Sequence, residues 1–283
     1  MIELDIKDRK ILYYLLQDSR QSLKTIGKKV GISRESATYR IKRLIDNKII
    51  TKFNINVNTE KLGYATINVY FAFKNINPEI KKRIISFFVD SKFSTYVSLL
   101  EGNYDFQVEL IMGDPFEFES FFDKMQEKFY KYLILKNVIF WIRADENNYI
   151  FLLNDINDKD KYSSWSWGQN IYFIDSFDFK ILSELYNDSR RPTKFIANNL
   201  GSTVSIVNNR IKKLIKNNII TQFTINVDWS KMGYRWFHLQ INLNDFSKKN
   251  LIIQYIRENP NLIRIMKGFL SVSYTHLRAH ETR

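Results

Sequence analysis

"GISRESATYRIKRLIDNKIIT" runs from Gly31 to Thr51, and 170 positions later the chain reads "GSTVSIVNNRIKKLIKNNIIT", Gly201 to Thr221. The likeness extends outward on both sides. Laying Asp5–Tyr64 on Asp175–Tyr234 without a gap gives 28 identities in 60 positions, from "DRKILYYLLQDSR" over "DFKILSELYNDSR" to "KLGY" over "KMGY". Self-similarity at a fixed offset over that length marks a duplication. Both copies then enter an alternating apolar segment, "YATINVYFAFK" and "YRWFHLQINLN", and the polar stretch Asn154–Asn170 between the halves reads as a linker.

Each copy folds on paper into three helices. Asp5 suits an N-cap, and Ile11, Leu12, Leu15 and Leu16 form one face of a first helix that ends near Asp18. A second, short helix runs from about Ser22 to Val30. Gly31 supplies a tight turn, Ser33 caps a third helix, and Ala37, Ile41, Leu44 and Ile45 are its expected buried side. A glycine turn before the last of three helices makes a helix-turn-helix, and the strand-like "IITKFNINV" after it suggests a short hairpin or linking strand.

Charge agrees with that reading. The net charge is +13, but residues 1–57 hold 13 Lys+Arg against 6 Asp+Glu, net +7, whereas residues 58–150 hold 11 against 13, net −2. The positive field therefore belongs to the first copy. The third helix leaves Arg34, Glu35, Ser36, Thr38, Tyr39, Lys42 and Arg43 exposed behind Ser33, with Lys24 and Lys28 on the helix before it. Side chains near the start of such a helix reach base edges in the major groove, and basic ones nearby hold phosphates. The second copy offers Val204, Ser205, Ile206, Asn208, Asn209, Lys212 and Lys213, a less charged set in which asparagines suit adenine edges.

The run "LDIKDRKILYYLLQDSRQSLKTIGKKVGISRESATYRIKRLIDNKII" resembles the amino-terminal domain of the leucine-responsive regulatory protein/AsnC (Lrp/AsnC) family of transcription regulators, in a tandem-duplicated, archaeal-type form. The resemblance rests on Asp5, Asp8, Ile11, Leu12, Leu15, Asp18, Arg20, Ile26, Ser33, Arg40, Leu44, Ile49 and Ile50. Lys48 and Asn218 depart from it, standing where the family usually has glycine, which leaves Asn47 or Asn217 to take the left-handed turn.

After Gly63, "TINVYFAFK" alternates as a half-buried strand, Pro78 opens a helix to about Asp90, and "FSTYVSLLEG" with "YDFQVELIMG" makes a strand pair. Asp114, Pro115 and Glu117 start a second helix in capping-box style, Phe118, Phe122, Met125 and Phe129 form its stripe, and "KNVIFWIR" closes the set. The order βαββαβ is a ferredoxin-like sandwich. The expected fold class is α+β: a winged helix-turn-helix domain plus a ferredoxin-like βαββαβ domain, duplicated in tandem, with the second ferredoxin-like domain incomplete. The expected divisions are 1–57, 58–153, the linker 154–170, 171–228, a partial domain 229–271 and a tail 272–283.

The family resemblance implies a sequence-specific regulator that binds double-stranded DNA, self-associates through the ferredoxin-like domains and takes an amino acid or other small effector near Gly102 and Asp105, which match the family's loop in "EGNYD". The alternative is an enzyme, since siroheme decarboxylases resemble the same two-domain architecture. Those work with histidines and arginines on the ferredoxin-like domain, and the first such unit has no histidine; the chain holds only His238, His276 and His280. No cysteine is present, no metal or other cofactor is expected, and with no signal peptide or apolar run long enough to span a bilayer the cytoplasm is the expected location. "VSYTHLRAHETR", Val272–Arg283, lacks strand alternation and looks like translated adapter sequence; it is expected to be non-native and weakly packed, leaving no role for His276 or His280.

Overall fold

The computed structural model of the chain describes residues 4–146, 149–153, 163–166, 171–259, 261–268 and 271–279. The chain starts with α1 (Ile6–Gln17), where the Asp5 carboxylate accepts from the Asp8 N–H at 2.8 Å and the Asp8 carboxylate accepts from the Asp5 N–H, a reciprocal capping box. α2 (Leu23–Val30) is capped by Ser22 and ends on Gly31 at φ 75°, a conformation that strains any residue with a Cβ. α3 (Arg34–Asp46) follows from the Ser33 cap and buries Ala37, Ile41 and Leu44. Ile45, expected inside, is 41% exposed, because the buried stripe at 37, 41 and 44 leaves position 45 on its margin.

The turn after α3 also differs from expectation. Lys48 and Asn218 themselves are left-handed, at φ 55° and 54°, while Asn47 and Asn217 stay at −83° and −88°. The Asn47 side-chain amide donates to the Arg43 carbonyl at 2.7 Å and Asn217 does the same to Lys213 at 2.8 Å, so each asparagine satisfies a terminal carbonyl in a right-handed conformation. The reversal falls one residue later, where Ile49 N–H closes onto the Leu44 carbonyl.

Then come β1 (Ile50–Val57), β2 (Ala65–Phe73), α4 (Pro78–Val89), β3 (Ser94–Leu99), β4 (Phe106–Met112), α5 (Pro115–Phe129) and β5 (Leu133–Glu146), with β6 (Ser163–Ser166) inside the expected linker. The rest of that linker lies outside the described residues. In α5 the inward column is Phe121, Met125 and Phe129 at i, i+4 spacing, with Phe118 and Phe122 half-buried. Glu117 does not reach back to its cap; it pairs with Lys92 at 3.0 Å. β2 is buried on both faces: Ile67, Val69 and Phe71 lie under α4 and α5, and Tyr70 joins Ile139, Trp141, Ala144 and Met266 in a small core on the other side. That small core draws on β5 and, through Met266, on the second half, so a strand read as half-buried is covered on both sides.

The second half repeats the plan with α6 (Ser176–Asn187), α7 (Thr193–Asn199), α8 (Val204–Lys216), β7 (Ile220–Val227), β8 (Tyr234–Asn242), α9 (Lys249–Arg257), β9 (Leu262–Gly268) and β10 (Ser271–Ala279). One antiparallel sheet runs β3-β4-β2-β5-β9-β10-β8, so β9-β10-β8 reproduces β3-β4-β2. β5 bridges the halves: Ile67–Phe73 pair with its first part, and β9 pairs with Trp141–Glu146. The expectation of a weakly packed tail at 272–283 fails for residues 272–279, whose backbone lies in β10. β10 pairs with β8 and with β9, and Val272 is buried. A strand in that slot satisfies the backbone donors and acceptors of two neighbours, which needs no side-chain alternation. His276 lies on β10; residues 280–283 are outside the described set. β8 forms an edge whose Trp236, Phe237 and Leu239 are exposed, in contrast with β2.

Candidate nucleic-acid interface

Two helix-turn-helix heads are held back to back by their own linking strands. β1 pairs antiparallel with β7, and Asn54 lies opposite Thr224, its own counterpart 170 positions on. A two-fold axis inside one chain follows from that register, and contacts recur in reciprocal pairs around it. Ser19 N–H donates to the Phe223 carbonyl at 2.9 Å and Ser189 N–H to the Phe53 carbonyl at 3.1 Å. Asn58 N–H donates to Ile219 and Asp228 N–H to Ile49, both at 2.9 Å. The Arg20 guanidinium sits over the Phe223 ring at 5.2 Å and Arg190 over Phe53 at 5.5 Å; burial lowers the pKa of both arginines. On the axis, the buried hydroxyls of Ser19 and Ser189 share a hydrogen bond of 2.6 Å. Sequence reasoning gave Asp18, Ser19 and Arg20 no role across the copies, although "DSR" stands identical at 18–20 and 188–190.

Each head aims its third helix outward by anchoring the inner side. Arg40 donates to Asp5 and to Asp8 at 2.8 Å, and Arg43 donates to Asp8 at 2.5 Å, with Asp8 fully buried. Burial works to raise the Asp5 pKa, but hydrogen bonds from the Asp8 N–H and from Arg40 outweigh it and hold the carboxyl below its ordinary range. Arg43, expected on the DNA-facing side, is therefore half-buried and tied to α1. Its spacing from Arg40 is three residues, which turns it toward the same acid.

The outward face of α3 is Arg34, Glu35, Thr38, Tyr39 and Lys42, all exposed, with Ser36 half-buried. Ser33 caps the helix through the Ser36 N–H at 3.1 Å, and Thr38 donates its hydroxyl to the Arg34 carbonyl at 2.8 Å. Lys24 and Lys28 are exposed on α2. Gly27 keeps the α2–α3 turn tight: a Cβ there would lie 2.8 Å from the Ile32 carbonyl oxygen.

In the second head Arg210 donates to Asp175 at 2.6 Å and to Asp178 at 3.2 Å. A backbone hydrogen bond from Asp178, with help from Arg210, lowers the Asp175 pKa. Lys213 stands in place of Arg43 and lies over the Tyr172 ring at 5.8 Å, leaving Asp178 Oδ1 without a hydrogen-bond partner. The face of α8 presents Val204, Ser205, Ile206, Asn208, Asn209 and Lys212, all exposed.

The loop read as an effector site has a structural task. Asp105 accepts from the Phe73 N–H at 2.8 Å, and its own N–H donates to Phe71 at 3.0 Å, clamping β4 to the end of β2. Gly102, at φ 129°, is exposed at the tip. His238 is exposed on β8, and no helix among the described residues is long and apolar enough to cross a membrane.

Residues 4–45 match the AsnC-type helix-turn-helix domain and residues 174–221 match a winged helix-turn-helix DNA-binding domain. An uncharacterised HTH-type transcriptional regulator of Pyrococcus horikoshii is 44% identical over 63 residues, covering 22% of this chain and 42% of that protein. One from Pyrococcus furiosus is 38% identical over 107 residues, covering 37% of this chain and 69% of its own. The HTH-type transcriptional regulator FL11 of Pyrococcus abyssi is 32% identical over 127 residues, 43% of this chain and 80% of its own. Among solved structures, the siroheme decarboxylase NirDL covers 97% of this chain and 82% of its own, with a TM-score of 0.64 and 11% identity. At that identity the likeness concerns the fold alone, whereas the relatives matched by sequence are transcriptional regulators.

Proposed function

We propose, for a chain that belongs to the Lrp/AsnC family of helix-turn-helix transcriptional regulators, that both heads bind one duplex together, each through its third helix. The observation that supports this reading is the internal two-fold: the reciprocal Ser19–Phe223 and Ser189–Phe53 bonds join the heads as two subunits of a symmetric dimer would be joined. In the first head Arg34 and Tyr39 reach base edges, with Glu35, Ser36 and Thr38 beside them, while Lys24, Lys28 and Lys42 hold phosphates. In the second, Asn208 and Asn209 read bases with Ser205, and Lys212 and Lys213 serve the backbone. Because the heads differ, the preferred site is asymmetric.

Self-association through the exposed β8 edge and an amino-acid effector seated at the Gly102 loop belong to the same reading. Sedimentation tests the first, and a thermal-shift screen of the proteinogenic amino acids tests the second. The direct experiment selects duplexes from a random pool with the full chain and then measures affinity at several salt concentrations. Enrichment of one asymmetric site, with affinity falling steeply as salt rises, supports the proposal; recovery of no sequence contradicts it.

A further inference from the structure

Val204 and Ile206 occupy the first turn of α8 and are 41% and 48% exposed, outside the head's core of Val207, Ile211 and Leu214. Nothing local favours them there, since β-branched residues are mediocre helix formers and gain nothing from facing water. Their counterparts in the first head, 170 positions earlier, are the polar Arg34 and Ser36. The second head is also the weaker electrostatic binder: residues 171–228 carry 8 Lys+Arg against 5 Asp+Glu, net +3, against +7 for residues 1–57. What replaces charge at its tip is a pair of aliphatic side chains followed by Asn208 and Asn209.

We infer that Val204 and Ile206 read thymine 5-methyl groups, so that the second head selects an A·T-rich half-site by apolar contact. In the major groove thymine is the one base that presents a methyl, and adenine, its partner, presents the donor and acceptor pair that an asparagine amide matches. Val204 neighbours Asn208 one turn on, and Ile206 neighbours Asn209 three positions on, so each aliphatic side chain stands beside an asparagine and each such couple addresses the two members of one A·T pair. The N-terminal turn of a groove helix is the part that lies against base edges, where an exposed valine or isoleucine exchanges water for a methyl. The inference rests on α8 entering the groove.

The test uses the full chain and a duplex that it has selected, with the second half-site located by footprinting. Replacing each thymine there with deoxyuridine keeps the pairing and removes only the methyl. Affinity is expected to fall about fourfold for each methyl contacted. A Val204→Ala, Ile206→Ala double variant should bind the thymine and uracil duplexes alike, and because both positions are exposed its melting temperature should match the parent's. Equal affinity of the parent chain for the two duplexes overturns the methyl reading and leaves DNA binding intact. A uracil penalty that persists in the double variant overturns the assignment to these side chains. A protected first half-site with no protection under α8 overturns both the groove placement and the inference.

Discussion

The two heads share 28 of 60 residues yet anchor their third helices differently. In the first, a fully buried Asp8 receives two arginines, Arg40 and Arg43; in the second, Asp178 receives Arg210 alone at 3.2 Å and keeps one oxygen unpaired. The contrast recurs at the axis. Thr224 donates to the Leu16 carbonyl at 3.0 Å, whereas its counterpart Asn54 leaves Oδ1 without a partner; Gln222 donates to Leu16 at 2.7 Å, whereas Lys52 lies over the Tyr186 ring at 3.9 Å. Duplication within one chain frees each copy to change alone, and the changes fall on anchoring and on the outward face while the reciprocal backbone bonds stay.

The largest expected effect comes from removing the anchors. Asp8→Ala takes the acid from Arg43 and leaves Arg40 with Asp5, and should cost about 3 kcal/mol in chemical denaturation, and Asp178→Ala about 1 kcal/mol, since only one weak pair is lost. Equal costs would erase the distinction between the heads. Arg43→Ala should behave as a stability variant for the same reason, with little change in the salt dependence of DNA binding.

Acid sharpens a second contrast, between the heads and the joint of the ferredoxin-like halves. Asp145 is buried where β5 meets β9 and accepts from Arg143 at 2.9 Å and Arg257 at 2.8 Å, with Lys267 at 3.3 Å. Burial works to raise its pKa, but Arg143, Lys267 and Arg257 outweigh it, so the folded carboxyl titrates below its ordinary value. The stabilisation is then fully present above about pH 4 and is lost as pH falls through the folded pKa. Melting temperature should drop over that acidic window in the parent and drop less in Asp145→Asn, which keeps only the share of Asp5 and Asp175 in the heads; parallel curves would remove Asp145 from the joint.

At the axis, Ser19→Ala leaves the buried Ser189 hydroxyl alone and should cost about 1 kcal/mol, while the Ser19→Ala, Ser189→Ala pair should cost less than the two single changes summed. Additive costs would mean that the hydroxyls do not interact. Smallest in stability, and visible only in binding, is Lys42→Ala: the slope of log affinity against log salt should shrink by about one, with folding unaffected.

Much of this was legible in the sequence. The three-helix head follows from the stripe Ala37, Ile41, Leu44, the Ser33 cap and the Gly31 turn, all local features. The ferredoxin-like order also came from local periodicity. What sequence could not place were contacts between residues far apart in the chain. Arg43 carries no mark of being drawn to Asp8, and the far face of β2 is covered by Ile139, Trp141 and Ala144 of β5 together with Met266 from the other half. β10 forms because two strands flank an open slot, a condition its own residues do not encode. Of the first head's expected outward set, Arg34, Glu35, Thr38, Tyr39 and Lys42 are exposed, while Ser36 and Arg43 are half-buried.

Footprinting with one head disabled at a time is the direct test of two unlike reading heads on one chain. Against the selected duplex, an Arg34→Ala, Tyr39→Ala, Lys42→Ala variant should lose protection over one half-site, and an Asn208→Ala, Asn209→Ala, Lys212→Ala variant over the other, with different sequences beneath the two. Loss of the same protected bases in both variants, or two identical half-sites, would contradict the account.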